Sequence, residues 1–488
     1  MNSESNGRHG RCINTQTRAL RLARDALGFP RVKLLSRYVT LRFARDRFRD
    51  HRLTQGWRAR VVLKLLADVG GKAAMLAITV VAARRLNPDP FAILAFATAT
   101  GWLLGVATDA GLSMYLARET AREPRRGRHF VFEIVSLRAG LAFLGATIGV
   151  AVTPSLVPRH WRMQFVLIVA AQLCGAVLET IAHYFRGLQR SEIESAIHAA
   201  YRLAMLTLAL FVLWQWRRLD YLAIAMLVPG VIAIAVSVIV AWRLSIRLKP
   251  DTTGPDAAGP TAEQQPWGSP SGGLTPATFL RDVFPLGAAA LLSALYFRID
   301  VYFIQQWHGF QPVGGYNAAF RLVEGLRLLP AAVMAVTFPL LVQTRDTELV
   351  RKIGGGLGLV GLALAVVCAA AAPVIIPFIY GEFYAYAAPA FAVLSLALPL
   401  FFLNYALTHQ VIGWDGQRAY LAIVLLALIG NIAANLLLVP SRGIVGAAIA
   451  TVLTEVIVTA GCLVTLQVQH KGSARRFITK VQHEGSVS

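Results

Sequence analysis

Twelve stretches of about 20 mostly apolar residues dominate the chain, and each is long enough to cross a bilayer as a helix. Within hydrocarbon every backbone N–H and C=O must be satisfied inside its own segment, so such stretches fold as helices. The first six run over roughly 61–83, 91–117, 130–152, 164–185, 195–215 and 221–242; the second six over roughly 279–303, 313–341, 353–379, 386–412, 419–439 and 444–466. Composition agrees, because 56% of the residues are apolar and only 15% are charged. A soluble protein carries about 45–50% apolar and about 25% charged residues.

Connections between the spans are short, with one exception. Residues 248–277 are rich in Pro, Gly, Thr and Ser, which is linker composition without core-forming residues. This divides the chain into a basic N-terminal extension (1–60), a six-helix bundle (61–247), a cytoplasmic linker (248–277), a second six-helix bundle (278–467) and a tail (468–488). The expected fold is an all-α integral membrane protein with two six-helix bundles around a central cavity. Turns recur at equivalent places in the two halves. Asn87-Pro88-Asp89-Pro90 answers to Gly309-Phe310-Gln311-Pro312, and Gly187-Leu188-Gln189-Arg190 to Gly416-Gln417-Arg418, which points to internal duplication of the kind found in transporters.

The net charge of +22 would suggest a nucleic-acid partner in a soluble chain. Its distribution argues otherwise. With both termini placed in the cytoplasm, 34 of the 48 Lys and Arg fall on cytoplasmic segments and 7 on the opposite side. Without residues 1–60 the bias is still 19 to 7. This is the distribution of a multi-pass membrane protein with both ends in the cytoplasm, and no nucleic-acid partner is expected. Residues 1–60 hold no apolar signal-peptide core. They read either as an interfacial basic helix on anionic lipid or as an unstructured or misassigned start.

Several functions are excluded as expectations. No GxxxxGK[ST] loop is present, so no ATPase is expected. Cys12, Cys174, Cys368 and Cys462 lie far apart, and neither a metal-ligand cluster nor a cofactor motif appears. The outer loops are too short to house a glycan polymerase or glycosyltransferase site, so the chain is read as a transporter and not an enzyme.

Charges inside the spans point to the site. Seven are basic: Lys64, Lys72, Arg138, Arg202, Arg298, Arg321 and Arg327. Seven are acidic: Asp68, Asp109, Glu133, Glu179, Asp300, Glu324 and Glu455. Each costs about 2.5–3.5 kcal/mol at a helix centre, so most must face a wet cavity or one another. Lys64, Asp68 and Lys72 stand four residues apart and form one stripe of alternating sign. Arg321, Glu324 and Arg327 stand three apart on a helix of the other half, and Arg298 and Asp300 are placed near the outer end of the seventh span. The basic set Lys64, Lys72, Arg298, Arg321 and Arg327 is suited to an anionic head group, because guanidinium matches phosphate geometry. The carboxylates Asp68, Asp109, Glu179, Asp300 and Glu324 are candidates for carrying a coupling ion. Arg138, Arg202 and Glu133 are expected near span ends, where long side chains snorkel. Mutual pairing that merely locks helices together is the competing reading for each of these charges.

Four stretches carry a family resemblance. They are Lys72 with Ala83-Arg84-Arg85-Leu86-Asn87-Pro88 and Phe91; Asp109-Ala110-Gly111-Leu112 with Arg118-Glu119; Arg298-Ile299-Asp300 with Gly314-Gly315-Tyr316-Asn317-Ala318-Ala319; and Asn431, Asn435, Pro440, Gly443, Gly446-Ala447-Ala448, Ala450-Thr451 and Glu455. In these the sequence resembles the Wzx-type (RfbX-like) polysaccharide-export flippases of the multidrug/oligosaccharidyl-lipid/polysaccharide (MOP) exporter superfamily. The resemblance implies a V-shaped pair of bundles and alternating access. It also implies transfer of an undecaprenyl-diphosphate-linked glycan to the outer leaflet, with membrane lipid, a polysaccharide polymerase and chain-length proteins as partners. Phe91-Ala92 stands where the family often has Phe-Gly. A cation-coupled multidrug exporter of the same superfamily is the main alternative. The three arginines in the second half argue against it. A lipid II flippase is a close relative, but twelve spans rather than fourteen count against that reading.

Overall fold

The computed structural model describes residues 69–122, 127–247, 284–344, 347–414 and 416–485. Lys64, Asp68, the segment 1–60 and the linker 248–277 lie outside the described residues. Every element described is helical. Helix α1 covers 69–85. It is followed by α2 (Pro88–Asp109), α3 (Leu112–Arg122), α4 (Gly127–Leu156), α5 (Arg162–Gly187), α6 (Ser191–Gln215) and α7 (Leu219–Arg247). The second half holds α8 (Phe284–Arg298), α9 (Asp300–His308), α10 (Phe310–Leu326), α11 (Leu328–Thr344), α12 (Thr347–Tyr380), α13 (Ala388–Ser395), α14 (Leu398–Gly413) and α15 (Gln417–Gly485).

Eight of the described helices are long and apolar enough to cross a membrane, and the bent pair Glu382–Ser395 and Leu398–Gly413 adds a ninth. The 69-residue α15 breaks at Gly443, whose φ of 53° and ψ of −131° are not helical, so it makes two crossings. Helix α1 and the α10–α11 pair complete twelve. The protein is therefore an all-α, multi-pass membrane protein. Its surface agrees, since Phe143, Phe378 and Leu437 are among its most exposed large side chains while Arg138, Asp300 and Glu455 are buried. This inversion suits a lipid solvent.

The halves pack alike. In the first, α5 lies against α2, α4 and α7; in the second, the α13–α14 crossing lies against α10, α12 and α15. The two bundles meet through α2, which packs on α8 and α10. Close approach is possible because Gly287 of α8 faces the Ala110 carbonyl, where a Cβ would stand only 2.5 Å from its atoms.

Breaks within crossings have local causes. Between α2 and α3, Ala110 and Gly111 both have positive φ (47° and 87°). Asp109 holds this turn by accepting the Gly111 N–H at 3.3 Å and the Ser113 hydroxyl. Between α10 and α11, Pro330 has no N–H to offer the Leu326 carbonyl, and the helix is interrupted at Arg327. The seventh crossing runs from Gly287 to His308 and ends only at Gly309, where φ is 79°. Arg298 and Asp300 thus sit near its middle and not near its outer end, because no turn residue interrupts the helix at 303.

Candidate functional site: a charged cleft between the bundles

We call the face carrying Arg247 and Phe284 proximal and the opposite face distal. At the distal side the bundles are joined. The Phe96 ring of α2 meets Tyr302 at 5.1 Å and Phe310 at 5.4 Å between centroids, and Phe91 meets Tyr384 at 5.3 Å. The Arg84 guanidinium donates to the Ile379 carbonyl at 2.7 Å and to that of Phe378, capping the end of α12 across the interface. The Tyr302 hydroxyl donates to Thr100 at 2.9 Å.

Below this seal lies a small crevice of about 10 Å³, room for about one water, lined by Met75, Thr79, Leu94, Thr98, Met226 and Asn317. One turn further along α10 the charges begin. Glu324 accepts from Arg298 at 3.1 Å and from Arg321 at 2.8 Å. The Arg298 guanidinium lies 4.5 Å from the Phe320 ring centroid and 5.9 Å from that of Trp102, which belongs to the other bundle. Arg327 lies against the faces of Phe297 (4.1 Å) and Phe401 (4.3 Å), with Tyr405 at 5.8 Å. Stacking of this kind holds a guanidinium flat while leaving its in-plane N–H groups free to donate. Leu76 of α1 approaches Gly325 to about 4.0 Å of where a Cβ would stand, so α1 borders the same cleft, and Lys72 is exposed one turn away.

Of the remaining candidates, Asp300 lies two residues from Arg298 and within its electrostatic reach, and the others sit elsewhere. Asp300 is buried and accepts the Tyr316 hydroxyl and, at 2.9 Å, the Val301 N–H; Tyr316 also contacts Thr451 at 3.2 Å. Asp109 shapes the turn described above. Glu179 lies at the proximal end of α5, 2.7 Å from Arg186, 3.8 Å from His183 and 3.6 Å from His198. Of the basic residues, Arg298, Arg321 and Arg327 are brought together, and Lys72 is on the facing bundle.

One further sequence expectation differs from the structure. Arg138 does not snorkel; it is 1% exposed. Its donors reach Gly105 O at 2.7 Å, Thr180 at 3.3 Å and Thr108, with Asp109 3.8 Å away. Interior hydrogen bonds replace the water it was expected to seek. Arg202 donates to the Gly71 carbonyl of α1 at 3.5 Å. The aromatic residues Trp102, Phe297, Phe320 and Phe401 were missed altogether. In a chain rich in apolar helices their only sequence signal is proximity to Arg on the same helix, as with Phe297 and Phe320. Among the described residues no His, Cys, Asp and Glu group is arranged to hold a metal.

A two-bundle helical membrane protein with a charged inter-bundle cleft has the fold of the MOP-superfamily transporters, and comparison with solved structures agrees. An inward-facing multidrug-resistance MATE family transporter superposes with a TM-score of 0.59 at 16% identity, covering 84% of this chain and 97% of the other. The Vibrio cholerae MATE transporter VcmN gives 0.57 at 14% identity over 86% and 98% of the two chains. The lipid II flippase MurJ gives 0.57 at 11% identity over 83% and 87%. Likeness at these identities establishes a shared fold. No curated protein sequence matches the chain. The family profile described as polysaccharide biosynthesis protein matches residues 59–345, more than half of the chain, and the protein belongs to that family.

Proposed function

We propose that the protein is a flippase that carries a polyprenyl-diphosphate-linked oligosaccharide from the cytoplasmic to the outer leaflet of the bacterial inner membrane by alternating access. One observation carries this reading. Three arginines, Arg298, Arg321 and Arg327, converge on the cleft with a single carboxylate, Glu324, within ion-pair distance of two of them. Their guanidinium groups in a low-dielectric cleft would offset the desolvation of a diphosphate, with the buried Asp300 near Arg298 and the buried Glu455 near Arg327 as the other carboxylates in electrostatic reach. The polyprenyl tail stays in lipid between helices, so the cleft need accept only the head group. The proximal face is then cytoplasmic, a placement that the distribution of basic residues supports. Lys72 and, beyond the described residues, Lys64 would line the facing wall. Without a nucleotide-binding motif, energy is drawn from an ion gradient, with Asp68, Asp109, Glu179, Asp300 and Glu324 as the carboxylates through which it would act. A polysaccharide polymerase and chain-length proteins are the partners expected to receive the product.

The test is complementation of a flippase-null strain by Arg298→Ala and Arg321→Ala. Both variants should insert normally and fail to restore surface glycan. Full restoration by both would sink the anionic-cleft reading, and drug resistance without glycan would favour a multidrug exporter.

A further inference from the structure

Glu324 occupies the cleft in an unusual way. A single oxygen, Oε2, accepts from both Arg298 and Arg321. Of the three side chains it is the most accessible, at 34% against 5% for Arg298 and 16% for Arg321. The counter-ion therefore stands at the mouth of the pair and not behind it. Arg327, one turn further along, is different. Glu455 and Glu324 feel its charge, but neither comes within 4 Å, and its Nε is buried without a hydrogen-bond partner among the described residues. Two rings pin its plane and its edge is left to donate. The cleft thus holds two neighbouring anion seats, one open at Arg327 and one filled by the protein's own carboxylate. The charge of Arg327 reaches the Glu324 carboxylate that Arg298 and Arg321 share, so the seats are neighbours.

We propose that Glu324 is a displaceable internal counter-ion that makes the cleft select a lipid diphosphate over a lipid monophosphate. This rests on the reading of the cleft as an anionic head-group site. One phosphoryl group takes the open seat at Arg327, and the adjoining one displaces the Glu324 carboxylate from Arg298 and Arg321. Because one anion replaces another, the two arginines are never left uncompensated in the cleft, where an unpaired charge is costly. A monophosphate fills only the open seat and leaves Glu324 in place. When the ligand departs, the carboxylate returns and the second seat closes, which speeds release. Selectivity then comes from a group that opposes the wrong ligand as well as from groups that attract the right one.

The experiment measures binding of farnesyl diphosphate and farnesyl monophosphate to the purified full-length protein in zwitterionic nanodiscs. The wild type should prefer the diphosphate by about tenfold or more, equivalent to about 1.4 kcal/mol. Glu324→Gln should tighten monophosphate binding by about tenfold, so that the preference falls toward one. Glu324→Asp, whose shorter carboxylate holds the arginines less well, should give a ratio between the two. An unchanged ratio in Glu324→Gln, or equal weakening of both ligands, overturns the proposal. Where Glu324→Gln cannot be purified, a wild-type ratio in Glu324→Asp overturns it. A wild type that binds neither ligand sinks the head-group reading and this proposal together. Diphosphate binding that Arg298→Ala abolishes, with a ratio that Glu324→Gln leaves unmoved, sinks the counter-ion role alone.

Discussion

Each bundle buries an arginine among polar groups, and the two arginines are used differently. Arg138 of the first bundle spends its donors on its own bundle, on Gly105 O, Thr108 and Thr180, with Asp109 nearby. Arg298 of the second bundle rests on aromatic faces and meets one shared carboxylate. One of those faces, Trp102, comes from the opposite bundle. The first arrangement is closed: every partner is a helix that the guanidinium ties together. The second faces a cleft and depends on a carboxylate that another arginine also holds. Burial alone therefore does not mark a functional charge. What distinguishes the two is whether the partners belong to one rigid body or face a gap between two.

The same substitution at both positions tests this distinction, and it carries the largest expected effect. Arg138→Met should destabilise the fold by about 1–3 kcal/mol, because the Gly105 carbonyl, Thr108 and Thr180 lose their buried donor. It should be read as a fall in folded yield and in thermal stability in detergent. Arg298→Met removes a buried charge together with its desolvation cost and leaves Glu324 paired with Arg321, so it should melt closer to wild type than Arg138→Met while losing transport. Equal destabilisation by both substitutions would erase the contrast.

The contrast also shows how much was legible in advance. Twelve crossings and two bundles follow from apolar run length, because hydrocarbon leaves the backbone no other option. Arg321, Glu324 and Arg327 share a cleft because three-residue spacing on a helix keeps side chains on neighbouring faces. The fate of Arg138 was not legible, since its partners are a carbonyl and two threonines on two other helices, α2 and α5. The aromatic plates under Arg298 and Arg327 were invisible for the same reason: Phe401 lies over seventy positions from Arg327 in the chain. Asp109 was read as a candidate for ion coupling, and the structure shows it also holding a left-handed turn, a role that Gly111 beside it hints at.

A second test concerns how the two bodies approach one another. At Gly287 a Cβ would meet the Ala110 carbonyl carbon and oxygen at 2.5 Å. Both atoms are backbone and cannot swing aside. Gly287→Leu should hold the bundles apart at this point while leaving each internally packed. Transport should fall by roughly tenfold, with melting changed by about 1–3 kcal/mol, the range for overpacking. Gly355→Leu on α12, where nothing lies within 4 Å of the added Cβ, is the control and should transport normally. Unimpaired transport by Gly287→Leu would mean that the bundles do not need this contact.

The smallest expected effect lies at the distal seal, where the two bundles touch without sharing a core. Arg84 donates to the last carbonyls of α12, groups that a helix end leaves without partners. A cation in such a place contributes about 0.3–1 kcal/mol. If that energy is spent only in the closed state, Arg84→Ala shifts the balance toward distal opening by about two- to fivefold. A cysteine placed at Thr79, within the crevice beneath the seal, reports this through its rate of labelling by a membrane-impermeant maleimide added from the distal side. Labelling should quicken by the same factor in Arg84→Ala and by less in Arg84→Lys, which keeps the charge but not the forked geometry. An unchanged rate would assign the closure to the Phe91–Tyr384 and Phe96–Phe310 contacts alone, and would make the seal apolar where the cleft beneath it is charged.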